Sequence, residues 1–170
     1  TDYATPDYSR SERLWGHAGL RPLSQLQNMP ASPLGAYRWE HTDRALTEQL
    51  LLEDEGQPAT TAQGHAAIRY VNPTTGEDVM PTIRCEFHRL RVGTETIQRQ
   101  DVGSTVFQVF DGRGAVVLNG ITHKLEKGDM FVAPSWLPWY LQADTQLDLF
   151  RFSDAPIMER LKFMRSKLEE

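Results

Sequence analysis

Five histidines, one cysteine and a few charged or aromatic clusters are the side chains of this chain that could do chemistry. His17, His41, His65, His88 and His123 stand far apart, and none has a partner at a His-x-His or His-x-x-x-His spacing. His88 sits in the middle of a run that alternates cleanly from Thr82 to Leu90. There Ile83, Cys85 and Phe87 face one way, and Arg84, Glu86 and His88 face the other. Which of these faces lines an interior is left open by the alternation itself. His123 falls just past a turn and is expected to be exposed. Cys85 has no base near it in sequence and reads as a small buried hydrophobe. Arg99 and Asp101 are two apart on one predicted strand and therefore share a face. If that face is inward they form an ion pair or hold a small polar ligand; if outward they are a solvated edge. Trp136, Trp139 and Tyr140 crowd a stretch between Pro134 and Pro138 and just beyond. Such rings plug a barrel mouth or stack on an aromatic ligand; plugging is the plainer expectation.

The elements that must position these residues are mostly short strands. Ala66 to Val71 and Thr82 to Leu90 read as strands. Further runs follow from Gly93 to Asp101, Ser104 to Phe110, Ala115 to Leu118, Ile121 to Leu125, Met130 to Pro134 and Leu147 to Phe152, with Gly, Asn and Asp turns between many of them. Asn119-Gly120 is the strongest turn signal, because a type I′ hairpin needs φ > 0 at both central residues. This pattern predicts an all-β antiparallel jelly-roll barrel. Thr42-Asp43 can cap a helix running to about Glu53, with Ala45, Leu46, Leu50 and Leu51 on its buried stripe. Ser153-Asp154 followed by Pro156 starts a C-terminal helix carrying Ile157, Leu161, Met164 and Leu168 on one side. Residues 1–41 read as an arm or linker and 42–170 as the barrel domain with its C-terminal helix. The arm shows Tyr3, Tyr8, Trp15 and Leu20 without steady period. It is expected to wrap its own barrel, or to pack on a preceding domain or second subunit. The acidic loop from Glu53 to Gly64 is the best candidate for a disordered or nicked segment.

The chain has 170 residues, 39% of them hydrophobic and 24% charged, with a formal net charge of −5. That suits one domain with its own core. No basic stripe points to nucleic acid, and no cluster of Lys and Arg points to an anionic membrane. No apolar run approaches the ~20 residues of a membrane span. A single cysteine cannot close an internal disulfide, so a reducing cytoplasm is the expected setting.

The order of Gly93, Gly112, Gly128-Asp129 and Pro134 resembles the cupin frame. The similarity narrows to the C-terminal cupin of gentisate 1,2-dioxygenases and their salicylate and 1-hydroxy-2-naphthoate relatives. It is carried by Arg69-Tyr-Val-Asn-Pro-Thr-Thr-Gly76, Thr105-Val-Phe-Gln-Val-Phe-Asp-Gly112, Gly128-Asp-Met-Phe-Val-Ala-Pro-Ser-Trp136 and Leu149-Phe-Arg-Phe-Ser-Asp-Ala-Pro156. The resemblance implies a double-stranded β-helix in which Arg99 and Asp101 stand where metal-binding cupins carry His-x-His, and Trp139 where they carry a late His. Arginine has no lone pair to give a metal, and indole offers only an N–H. The expectation is therefore a barrel with no catalytic residue and no metal of its own. His88, Arg99, Asp101, Gln108 and Trp139 are the residues expected to line its cavity. The resemblance also implies a preceding cupin that holds Fe(II) and acts on an aromatic hydroxy acid, with this half supporting folding and assembly, as a partner of that cupin or within a homo-oligomer. The rival is a stand-alone metal-free cupin that binds a small molecule or drives oligomerisation.

Overall fold

The structure, a computed structural model, describes residues 37–57, 62–73 and 75–169. The arm lies almost wholly outside them, so nothing is said of its packing. Two five-stranded antiparallel sheets form the body. The first runs β1 (His65–Tyr70), β2 (Arg84–Leu90), β9 (Leu147–Ser153), β4 (Thr105–Asp111) and β7 (Met130–Ala133). The second runs β10 (Ser166–Glu169), β3 (Gln98–Asp101), β8 (Trp139–Ala143), β5 (Arg113–Leu118) and β6 (Ile121–Glu126). This strand-rich double sheet is the all-β cupin barrel expected from the sequence.

Two turns set the register. Asn119 (φ 48°) and Gly120 (φ 80°) make the tight β5–β6 hairpin, pairing Leu118 with Ile121. Gly112 (φ 91°) turns β4 into β5 where a Cβ would lie 1.9 Å from the Gln146 carbonyl oxygen, so only glycine fits.

Between the sheets, Leu90, Phe107, Val109, Val116, Leu141, Leu147 and Leu149 close one end of the barrel with apolar side chains. A second core lies outside the first sheet. Helix α1 (Trp39–Asp54) lays Thr42, Leu46 and Leu50 on Ala66 and Phe87, flanked by Ile68, Tyr70 and Phe150. Leu51, expected on this stripe, is exposed instead. The helix begins at Trp39, three residues before the expected cap. Thr42 lies inside it, with its hydroxyl 3.0 Å from the Tyr70 hydroxyl, and Asp43 accepts a hydrogen bond from Arg89. The capping residue types are thus used for tertiary contacts. The Glu53 carboxylate accepts the Gly64 N–H at 2.9 Å, while residues 58–61 of the segment expected to be nicked lie outside the described residues.

The long C-terminal helix does not form. Helix α2 covers only Ala155–Arg160, Lys162 turns the chain at φ 60°, and Ser166–Glu169 becomes β10. The apolar spacing of Ile157, Leu161, Met164 and Leu168 fits a helix, but strand β3 would be left with an unpaired edge. Pairing Ser166 with Asp101 and Leu168 with Arg99 satisfies that edge. No helix among the described residues is long and apolar enough to cross a membrane.

Candidate functional site: a charged cavity in the barrel mouth

Strand pairing arranges the barrel interior in layers. Arg84 on β2 stands opposite Ser153 on β9, and Ser153 opposite Thr105 on β4. One layer deeper, Glu86 faces Arg151, which faces Phe107. Deeper still, His88 pairs with Leu149 and with Ala67 of β1. The Arg84, Glu86, His88 face of β2 is therefore the inward one, and Phe87 packs outward beneath α1. The second sheet contributes Arg99 and Trp139, which are directly paired, and Asp101. Apart from Phe87, Phe107 and Leu149, these residues line a cavity of ≈ 390 Å³ that opens between Ser104, Pro134, Asp154 and Glu159.

Arg99 and Asp101 face inward as a bidentate pair, Nε to Oδ2 at 2.7 Å and Nη2 to Oδ1 at 2.9 Å. The Ser166 hydroxyl donates to the same carboxylate at 2.7 Å. Burial pushes the Asp101 carboxyl up, but Arg99 and Ser166 outweigh it and hold it below its ordinary value. The Arg99 guanidinium lies 5.6 Å from the Trp139 ring centroid. Trp139 is 5% exposed and meets Phe107 edge-on at 5.2 Å. It opens strand β8, so the three rings do not form a common plug: Trp136 is 46% exposed, at φ 62°, in the preceding turn. Gln108, expected in the cavity, points outward and is exposed, because Thr105, Phe107 and Val109 take the inward positions of β4. His123 is exposed on β6, as expected.

Two groups essential to the cavity were not singled out in the sequence. His65 starts β1 and places its Nε2 3.0 Å from Nδ1 of His88, with the rings stacked at 5.2 Å. Burial, then His88, Arg99 and Arg151, hold His65 down at about 3, so it is neutral at ordinary pH. Burial likewise lowers His88, against the pull of Glu86. Arg151 is the second. Its Nε donates to the Thr105 hydroxyl at 2.8 Å, its Nη1 lies 2.9 Å from Glu86 Oε2, and its Cζ lies 5.5 Å from the Phe107 ring centroid. Burial lowers its pKa although Glu86 opposes this. Burial also pushes the Glu86 carboxyl up, yet His88, Arg151 and Arg84 overcome it and hold it down at about 2. Only their position along the inward period of β1 and β9 could have marked His65 and Arg151, and that period is visible only once the inward face is known.

The donor chemistry does not suit a catalytic metal. Arg99 and Trp139 have no lone pair to offer, and Asp101 is engaged by Arg99 and Ser166. The His65–His88 contact occupies one nitrogen of each ring. Among the described residues, no group of three or more His, Cys, Asp or Glu side chains is placed to hold a metal ion.

Comparison with known proteins gives a consistent result. The chain is 52% identical over 166 residues to a gentisate 1,2-dioxygenase of a Streptomyces species, covering 98% of this chain and 46% of that protein. It is 30% identical to a 5-aminosalicylate 1,2-dioxygenase of a Comamonas species, over 95% of this chain and 41% of that one. The crystal structure of the salicylate 1,2-dioxygenase of Pseudoaminobacter salicylatoxidans with gentisate superposes with a TM-score of 0.88 at 80% identity, covering 99% of this chain and 46% of that chain. The chain thus spans less than half the length of the relatives it matches. No protein-family model matches it.

Proposed function

The chain belongs to the gentisate 1,2-dioxygenase family, matching the C-terminal part of such enzymes, and from that premise we propose that it is the non-catalytic cupin half of an Fe(II)-dependent, ring-cleaving dioxygenase for an aromatic hydroxy acid. In this reading iron and O2 are handled by a preceding cupin, and the present barrel supports folding and assembly. The observation that carries it is the Arg99–Asp101 pair against Trp139; at these positions, to which the resemblance assigns the family's ligands, stand side chains unable to form a 2-His-1-carboxylate set. Assembly is supported by the exposed Phe110, Met130 and Val132 on the outer side of β4 and β7. These offer an apolar face to the rest of the polypeptide.

The test compares this chain with a longer parent carrying the upstream half. After anaerobic Fe(II) loading, elemental analysis and gentisate turnover are measured on both. The parent is expected to hold iron and turn over, and the chain alone to do neither. One tightly held iron per chain, lost on Asp101→Ala, overturns the reading.

A further inference from the structure

The cavity has more polar equipment than a plugged barrel needs. Three buried atoms on its lining side chains, Glu86 Oε2, His88 Nε2 and Ser153 Oγ, have no hydrogen-bond partner, although Glu86 Oε2 has Arg151 Nη1 beside it at 2.9 Å as an ion pair. His88 is 8% exposed and Ser153 6%. Buried polar atoms are nearly always paired, so each such exception needs a cause. The His88 Nδ1 contact with His65 leaves Nε2 3.9 Å from Glu86 Oε2, beyond hydrogen-bond reach. The nearby carboxylate favours the tautomer with the proton on Nε2, which makes that atom a donor. A serine hydroxyl donates as well.

The two guanidinium groups add to this supply. Arg99 commits Nε and Nη2 to Asp101, and Arg151 commits Nε to Thr105 and Nη1 to Glu86. A guanidinium carries five N–H donors, so each retains some for a guest. The field at His65 has the same sign: Arg99 and Arg151 each weigh on that ring more than Glu86 does. One wall is aromatic, with Trp139 against Arg99, and Phe107 packs behind Arg151. A volume of ≈ 390 Å³ falls at the low end of small-molecule sites.

We propose that this cavity is a second binding site, for a small organic monocarboxylate of about benzoate size, whose carboxylate is received by Arg151 and Ser153, same-face neighbours on β9, and whose flat body lies along Trp139 and Arg99. It does not rest on the iron reading above, because the probe is titrated into metal-stripped chain.

Benzoate is titrated into the 170-residue chain at neutral pH by calorimetry and by amide NMR. Benzamide serves as its uncharged isostere. Benzoate is expected to bind saturably and to shift the amides of His88, Arg151 and Ser153, with benzamide about tenfold weaker or more. Ser153→Ala is expected to weaken benzoate severalfold without altering the fold, and Arg151→Lys to weaken it further. Should Arg151→Lys fail to fold, the wild-type shift map and the benzamide comparison decide. Absence of saturable binding at millimolar benzoate, shifts confined to residues outside the cavity, or equal affinity for benzamide overturns the proposal.

Discussion

Arg89 and Arg151 stand on opposite faces of one sheet, and their surroundings differ sharply. Arg89 points outward under helix α1. It makes a bidentate pair with Asp148, Nε and Nη2 each at 2.8 Å, and also reaches Asp43 and the Thr47 hydroxyl. Those partners raise its pKa, the Asp148 hydrogen bonds foremost and against the effect of burial. Arg151 points inward, has one carboxylate and one hydroxyl, and is lowered by burial. The fully paired arginine locks a helix to a sheet. The underpaired one belongs to a cavity. Degree of satisfaction, rather than burial, separates a structural charge from one held ready for a ligand.

The largest expected effect breaks the satisfied side. Asp148→Ala removes the bidentate partner of a buried guanidinium and is expected to cost about 3–5 kcal/mol in urea unfolding. Replacing both residues, Arg89→Met with Asp148→Leu, is expected to recover much of that, since no buried charge remains to be paired. If Asp148→Ala cost no more than an exposed substitution, the contrast between the faces would collapse.

The next effect sharpens the contrast through pH. His65 is held at about 3 against an ordinary 6.5, and Glu86 at about 2 against 4.5. A base whose folded pKa is depressed is protonated more readily in the unfolded chain. Its contribution is full above about pH 6.5 and lost as pH falls toward 3. The Glu86 contribution is likewise full above about pH 4.5 and lost toward 2. Stability is therefore expected to fall from about pH 6.5 downward, by roughly 2 kcal/mol from His65 before the carboxylates titrate. That figure is smaller than the whole shift implies, because the ring borders an open cavity. His65→Gln should reduce the slope between pH 6.5 and 4.5, leaving the part that comes from His88, which burial also lowers. An unchanged slope would assign the acid sensitivity to another element.

The smallest effect concerns the half-open pair. Were it fully buried, Arg99–Asp101 would be worth as much as Arg89–Asp148. Its side chains are 34% and 14% exposed, so solvent screens it. A double-mutant cycle of Arg99→Met and Asp101→Ala is expected to give a coupling of about 1–2 kcal/mol, between exposed and buried pairs. A value as large as that of Arg89–Asp148 would place both pairs in one class.

The sequence by itself determined the strand-rich frame, the Asn119-Gly120 hairpin and the clean alternation of β2, because turn chemistry and side-chain period act over a few residues. It also placed Arg99 and Asp101 on one face, since residues two apart on a strand must share one. What it could not decide was which face is inside. That depended on where α1 docked, and α1 docked on Phe87, leaving Arg84, Glu86 and His88 to the cavity. The Gln108 expectation failed for a related reason: Phe107 and Val109 take the inward positions of β4 in the core, which leaves Gln108 on the outer face. The C-terminal helix became a strand because an unpaired edge on β3 outweighs a helical pattern in a ten-residue tail. The meeting of His65 with His88, twenty-three positions apart, exists only through β1–β2 pairing. Long-range register is set by the whole barrel, and no local pattern carries it.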